Sequence, residues 1–495
     1  MLQAVYAWPL MKLGKEKEAR EKLAIAAPFD DEPTRTTYLN SKGALEMETD
    51  HPKACYEAFE ELVRTVRAKK SLGWRMTCTY LRNAGEAAAT VGRFDEAERY
   101  YLDSTELFDW TSYSNPWWDL ATLYLGEGRF PEAISALKKT HEWSNATQPF
   151  LAQQSWAANQ QLTSEVYLQL GMTEDALRVA EGFIDRPDRK GGDSVSRDQT
   201  EAANLLIYRE ALQARRSGAR EEMSWSKGKH WWELLWEQQK MAWQAYHSGQ
   251  RAAAIMVEHD RLHSSLRWSY AHGTVVIPNY ARPELATIYG PGVTLAAIRE
   301  LEETDWEGKE FEQPYLLSIT AEAQALLGNT SQALESIAVC LEKLPRAEVL
   351  LKSRLLARQA QLLERSGDTP AAMKAYQKVM EQAPSMLRTL EIALPVKIEG
   401  DNDSMLSYAS SMTMRSPRFR SDSNGLTIKF ASGGDKLTAS LIGLDGTVIS
   451  SADVNVLGDQ DQTARDLVAE LHAKFFSPHI DMSQLDIKSL DGMTV

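Results

Sequence analysis

The sequence predicts a mainly α-helical chain, an α-solenoid of antiparallel helix hairpins followed by a small α/β domain. Three observations predict it. A small residue, a turn residue and a second small residue recur along residues 1–394, seven and then five positions apart. Helical periodicity gives way after Ala393 to short apolar runs separated by Gly and Asp. Finally, 43% hydrophobic and 25% charged residues are the balance of a folded chain, not of a disordered one.

The pattern is clearest in residues 81–107, where Gly85, Ala88, Gly92, Phe94, Ala97 and Tyr101 fall at the positions of a helix hairpin. Small side chains on either side of the turn let the two helices approach closely. The same triple recurs at Ala7/Gly14/Ala19, Gly43/Asp50/Cys55, Ala121/Gly128/Ala133, Ser164/Gly171/Ala176, Ala242/Gly249/Ala254, Ala321/Gly328/Ala333 and Ala360/Gly367/Ala372. This spacing resembles the tetratricopeptide repeat family. The resemblance covers most of the chain and implies a superhelix whose groove is lined by the first helix of each hairpin.

Taken in order, residues 1–184 read as such repeats, and residues 185–198 (DRPDRKGGDSVSRD) as a flexible loop, because Pro, a Gly pair and alternating charges cluster there. Residues 199–312 read as degenerate repeats. A helix over 198–217 places Ala211 seven before Gly218, but Met223 stands where a small residue is expected. Near 272–292 an irregular stretch is either a repeat with a shortened first helix or an inserted loop, and residues 313–394 hold two further repeats. Residues 395–495 form the α/β unit: a first strand in LPVKIEGDND, a helix from Ser404 to about Arg415, strands at 426–430, 436–444 and 447–456 with a tight turn at Asp445-Gly446, and a helix over 463–476. Leu467, Val468, Leu471 and Phe475 mark the buried side of that last helix. The βαβββα order, with SPRF at 416–419, resembles the small α/β domain of bacterial envelope proteins of the CsgG, LpoB and TolB type. That resemblance implies an assembly or regulatory module; the plainer reading is a cap on the solenoid.

Charge narrows the function. Against 55 Lys plus Arg stand 69 Asp plus Glu, for a net charge of −14, which repels a phosphate backbone and argues against nucleic acid. No run of 18 apolar residues is present, so no membrane insertion is expected. No basic leader opens the chain, which points to the cytoplasm; Met1 lies so near the first helix that an incomplete start, with a periplasmic or envelope location, is the alternative. Cys55, Cys78 and Cys340 read as core thiols. There is no phosphate-binding loop and no nucleophile elbow, and no cofactor or metal is expected. His259 and His263 share a helix face at metal-ligand spacing, yet Asp260 stands where a metalloprotease needs Glu and no third ligand is evident, so a metal-dependent hydrolase is the minor alternative.

Carried onto this sequence, the resemblance selects Trp8, Arg82, Glu86, Trp118, Glu165, Trp236, Trp243, Tyr315 and Glu322 as groove-lining residues. Members of the family that clamp a terminal carboxylate use Lys, Arg and Asn there; aromatic and acidic residues instead favour an apolar, basic protein segment. In the densest aromatic stretch, 229–247, Trp231 and Trp232 are expected to be buried and Trp236 and Trp243 to face the groove. The competing reading packs the Trp side chains between hairpins and leaves the Glu side chains solvated. The chain is thus expected to be a non-enzymatic interaction scaffold, or else the regulatory arm of a larger bacterial signalling or envelope protein.

Overall fold

Helix hairpins form where the small residues allow it. The computed structural model describes residues 2–13, 15–27, 31–49, 51–69, 74–108, 115–146, 149–184, 194–225, 231–258, 279–400, 404–456 and 458–491. Its first ten helices pair in order: α1 (Leu2–Lys12) with α2 (Glu16–Ala26), α3 (Glu32–Glu48) with α4 (Pro52–Lys69), α5 (Trp74–Thr90) with α6 (Phe94–Glu106), α7 (Pro116–Gly126) with α8 (Phe130–Ala146), and α9 (Pro149–Gln169) with α10 (Thr173–Ile184). The small residue before each turn is explained by what lies on it. A Cβ on Gly85 would sit 2.5 Å from the Tyr101 ring, and one on Gly43 would sit 2.6 Å from Phe59. Each turn is closed in the same way. At Gly92 the backbone is left-handed (φ 75°), and the Arg93 N–H donates to the Ala88 carbonyl at 2.9 Å, capping the open end of α5. The turns at Gly128, Gly171, Gly328 and Gly367 repeat this bond.

The middle of the chain departs from the expected rhythm. α11 (Ser194–Trp225) and α12 (Trp231–Glu258) are two long helices packed on each other, and Gly218 and Gly249 lie inside them. The Ala242/Gly249/Ala254 triple therefore marks no turn. The spacing alone misleads because a helix-interior glycine costs only about 1 kcal/mol, which strong helix formers on both sides and packing between long helices offset. Of the loop expected over 185–198, residues 185–193 lie outside the described residues, and Ser194 to Asp198 are helical. Residues 272–278 of the irregular stretch lie outside the described residues; its described part is a 3₁₀ turn (Asn279–Glu284) running into the short helix Leu285–Tyr289, followed by the helix Pro291–Glu303. Two regular hairpins follow, Lys309–Leu326 with Thr330–Lys343 and Val349–Arg365 with Thr369–Gln382.

The closing unit is a mixed sheet with helices on it. Strands β1 (Leu394–Glu399), β2 (Phe419–Ser421), β3 (Leu426–Gly433), β4 (Lys436–Ile442) and β5 (Val448–Asn455) lie in the order β2-β1-β3-β4-β5. β1 runs parallel to both β2 and β3, and β3, β4 and β5 are antiparallel. β2, which was not expected, is three residues long and too short to show a period. The helices Ser404–Arg415 and Gln460–Phe475 pack together, the latter burying Leu467, Val468, Leu471 and Phe475 against β4 and β5.

The repeat array folds back on itself. Gly308 lies against Pro52 at the start of α4, and the Ala54 N–H donates to Glu307 at 3.2 Å. The turns at Gly92, Gly128 and Gly171 face Pro345, Val349 and Arg388 respectively. One apolar core consequently runs from Leu39 to Leu490, while the first hairpin keeps a separate cluster of Ala4, Ala7, Met11, Ala19, Leu23 and Ala26 against Leu45. All three cysteines are buried and unbridged. Among the described residues no helix is long and apolar enough to cross a membrane.

Candidate functional site

Because the array folds back, the residues expected to line a groove meet other parts of the same chain. Arg82 on α5 is buried in a two-pronged ion pair with Asp119 on α7, at 2.7 and 2.9 Å, with Glu86 at 3.3 Å. Trp118 is buried beside them. Glu165 on α9 is fully buried and accepts from Gln161 at 2.9 Å and from the Tyr280 hydroxyl at 3.2 Å. Tyr315 donates to Glu348 at 2.8 Å, and its ring lies 4.9 Å from the Arg282 guanidinium. Glu322 is clamped by Arg358 at 2.6 and 2.9 Å. Six of the nine selected residues are thus paired or packed within the chain, and not displayed on an open inner surface.

At the centre of this interior stands Arg354, 2% exposed, between Glu210 on α11 at 3.2 Å and Glu284. Arg209 reaches the other oxygen of Glu284 at 3.0 Å, and Arg282 pairs with Glu312 at 2.9 Å. Burial pushes the Glu165 carboxyl up to about 8. It also raises Glu210, to about 7, against the pull of Arg354. For Glu284 burial acts in the same sense, but Arg354, Arg209 and Arg358 together outweigh it and hold the group below its ordinary value. Sequence reasoning missed Arg354, Glu210, Glu284 and Arg282. A signal did exist: Arg354, Arg358 and Gln361 share one face of a first helix, so basic residues stand in the same row as the acidic ones selected on other hairpins.

A second polar cluster locks the α/β unit to the repeats. Ser416 meets His472 Nε2 at 2.7 Å, Arg418 pairs with Glu221 on α11, and Arg388 donates to the His472 carbonyl at 3.1 Å. Phe419 stacks on the His472 ring, with centroids 5.9 Å apart. Burial, with Arg418 and Arg388 beside it, holds His472 well below its ordinary value, although the Glu221 carboxylate lies 3.4 Å from its Nδ1. The SPRF segment thus supplies part of the contact between sheet and solenoid, beside the Leu444 N–H on Gln377 and the Arg420–Glu364 pair.

No protein-family model and no curated protein matches this chain. Among solved structures, a circular tandem repeat protein with novel repeat topology and enhanced subunit contact surfaces aligns over 78% of this chain and 82% of its own, at 14% identity and a TM-score of 0.14. A likeness at that score carries no argument. The tandem helical-repeat fold rests on the hairpins described above.

The remaining three selected residues are exposed. Trp8 lies on α1, apart from the others, and Trp236 and Trp243 lie on α12, 70% and 66% exposed. Trp231 and Trp232, expected to be buried, are also more than half exposed, because α12 turns its opposite side to α11 and to Leu285–Tyr289. Trp232, Trp236, Trp243 and His247 recur at four, seven and four residues and form one stripe on the helix. Trp243 and His247 meet edge to face with centroids 4.2 Å apart, and Gln250 donates to the Tyr246 hydroxyl at 2.7 Å. Gln239 and Lys240 lie on the same face between Trp236 and Trp243, and Glu233 stands beside Trp232 and Trp236. His259 and His263 lie outside the described residues, and among those residues no group of three or more His, Cys, Asp or Glu side chains is arranged to hold a metal.

Proposed function

We propose that this chain is a non-enzymatic interaction scaffold of the tetratricopeptide type that receives its partner on the outer face of α12. One observation carries the reading: the inner face is filled by the chain's own ion pairs, whereas α12 holds Trp232, Trp236, Trp243 and Tyr246 in water. Exposing that much indole costs solubility, and contiguous apolar patches bordered by polar residues are characteristic of interaction surfaces. Large rigid aromatic side chains are also the anchors that supply most of the binding energy at interfaces. The matching partner presents apolar side chains, with basic groups toward Glu233 and Glu237.

The test compares proteins retained from a native lysate by the intact chain and by its Trp236→Ala/Trp243→Ala variant, with circular dichroism on both. Partners lost only by the variant, at equal helicity, support the reading. Identical retention at equal helicity sinks it and moves attention to the α/β unit.

A further inference from the structure

We infer that the outward face of α1 is a seat for one more helix hairpin, brought by a helical-repeat partner and docked through its second helix. This goes beyond the reading of α12 and does not depend on it. The first argument is the equivalence of the hairpins. The recurring triple aligns Pro9 of α1 with Leu45, Ala87, Leu123, Val166, Ala323 and Leu362 on the first helices of six later hairpins. All six are buried, whereas Pro9 is exposed. The position of Leu2 behaves alike: its counterparts Tyr80, Leu316 and Leu355 are buried, and Leu2 is 70% exposed. In the later hairpins the preceding hairpin lies there. Leu45 packs on α1 and α2, and in the same way α4 lies on α5, α6 on α7 and α8 on α9.

The chemistry of the face gives the second argument. Leu2, Tyr6 and Pro9 recur at four and three residues and so share one side of α1, with Val5 beside them and Leu13 just past the end of the helix. Leu2, Val5, Tyr6 and Leu13 are each more than half exposed. A terminal repeat needs a polar outer face to stay soluble. Here the outer face is apolar, and Lys12 is the sole charged residue of α1. Such a face has the character of the interior seats, without their cover.

The third argument fixes the occupant. Inside the chain this position is filled by the second helix of a hairpin, an amphipathic helix such as α4, which buries Tyr56, Phe59, Leu62, Val63 and Val66. A second copy does not offer such a helix at the end of its array. Thr369–Gln382, the second helix of the last hairpin, is covered by the α/β unit and the segment after it: the Leu444 N–H donates to Gln377 at 2.8 Å, and His479 meets the Met380 carbonyl at 2.7 Å. The occupant is therefore a hairpin of another chain, with aromatic and aliphatic side chains along one side of an uncovered second helix.

The experiment supplies a hairpin of known fit. Residues 31–78, placed a second time directly before Met1 of the full chain, keep the spacing that joins α4 to α5, because Met1 aligns with Thr79. Hydrogen exchange of the α1 backbone amides should slow at least about tenfold in this fusion, since a terminal helix becomes an interior one. Leu2→Lys/Tyr6→Lys, at two exposed positions, should abolish the slowing. Docking from a separate chain is read with a labelled peptide of residues 31–73, which should bind the unfused chain with a dissociation constant below about 1 mM. The same two substitutions should weaken it at least about tenfold, and Trp236→Ala/Trp243→Ala should leave it unchanged. Equal exchange in fusion and wild type, no peptide binding up to that concentration, or binding indifferent to Leu2 and Tyr6 each overturns the inference. So does an intact chain that sediments as a dimer dissolved by Leu2→Lys/Tyr6→Lys, which would make a second copy the occupant.

Discussion

The inner face of the repeat array and the outer face of α12 were read from the sequence as parts of one groove, yet the structure treats them in opposite ways. On the inner face Glu165, Tyr315 and Glu322 are buried and met by Tyr280, Glu348 and Arg358. On α12, Trp236 and Trp243 face water. The inner carboxylates thus contribute to holding the early and late hairpins together, and the outer aromatics are what a partner can reach. In this fold a polar residue is no guide to the surface, nor an aromatic one to the core, because fold-back decides which side of each hairpin is covered.

The sharpest way to break this contrast is to remove Arg354. Its loss leaves Glu210 without its cation and Glu284 with Arg209 alone, and breaking a buried ion pair from one side costs about 3–5 kcal/mol. Urea denaturation of Arg354→Met should show a loss of that size. Adding Glu210→Gln should return part of it, since the carboxylate left without a cation is then gone, while Glu284 keeps Arg209. A single substitution costing under about 1 kcal/mol, the level of ordinary surface changes, would mean that the interior is open to water.

An effect of similar size separates the carboxylates by pH. Glu165 binds its proton up to about pH 8 in the folded chain, against an ordinary 4.5 when unfolded. Between those values the folded state holds a proton that the unfolded state releases. Stability from this group is therefore complete below pH 4.5 and is lost as pH rises toward 8, at up to ~1.4 kcal/mol per pH unit. Glu210, raised to about 7, adds to the slope over a narrower window. Denaturation curves between pH 5 and 8 should show stability falling in the wild type and a flatter profile in Glu165→Gln. An unchanged slope would place Glu165 in contact with solvent.

Hairpin packing offers an intermediate test. Gly85→Val drives two methyl groups into the Tyr101 ring, and overpacking of this kind costs about 1–3 kcal/mol. A thermal midpoint unchanged from the wild type would show that α5 and α6 can separate.

How much of this was legible depends on range. Turns at Gly92, Gly128, Gly171, Gly328 and Gly367 were readable because the bond that closes each is local, joining residues five apart. The β3 to β5 meander was readable for the same reason, through Asp445-Gly446 and alternating burial in β4. Gly249 misled because its spacing is identical to that of a true turn, and the choice there is made by α11 lying alongside α12. The pairing of Arg354 with Glu210 joins residues 144 apart, and Arg418 with Glu221 joins residues 197 apart. No periodicity encodes contacts of that length; they follow from the curvature of the whole array. Trp231 and Trp232 were misplaced for a related reason, since the apolar circumference of α12 does not say which side its neighbours occupy.

The smallest expected effect on stability is the most informative about function. Trp236→Ala and Trp243→Ala remove side chains that are already largely in water, so each should change unfolding free energy by no more than about 0.5 kcal/mol. Set beside Arg354→Met in the same denaturation assay, the two faces should differ several-fold in their contribution to folding. Should either Trp substitution instead cost about 2 kcal/mol or more, a loss that belongs to cores, the α12 stripe is structural and the capture surface must be sought elsewhere. A near-neutral result leaves two large aromatic side chains on one helix face with no measurable part in folding, and for such a surface association is the remaining physical use.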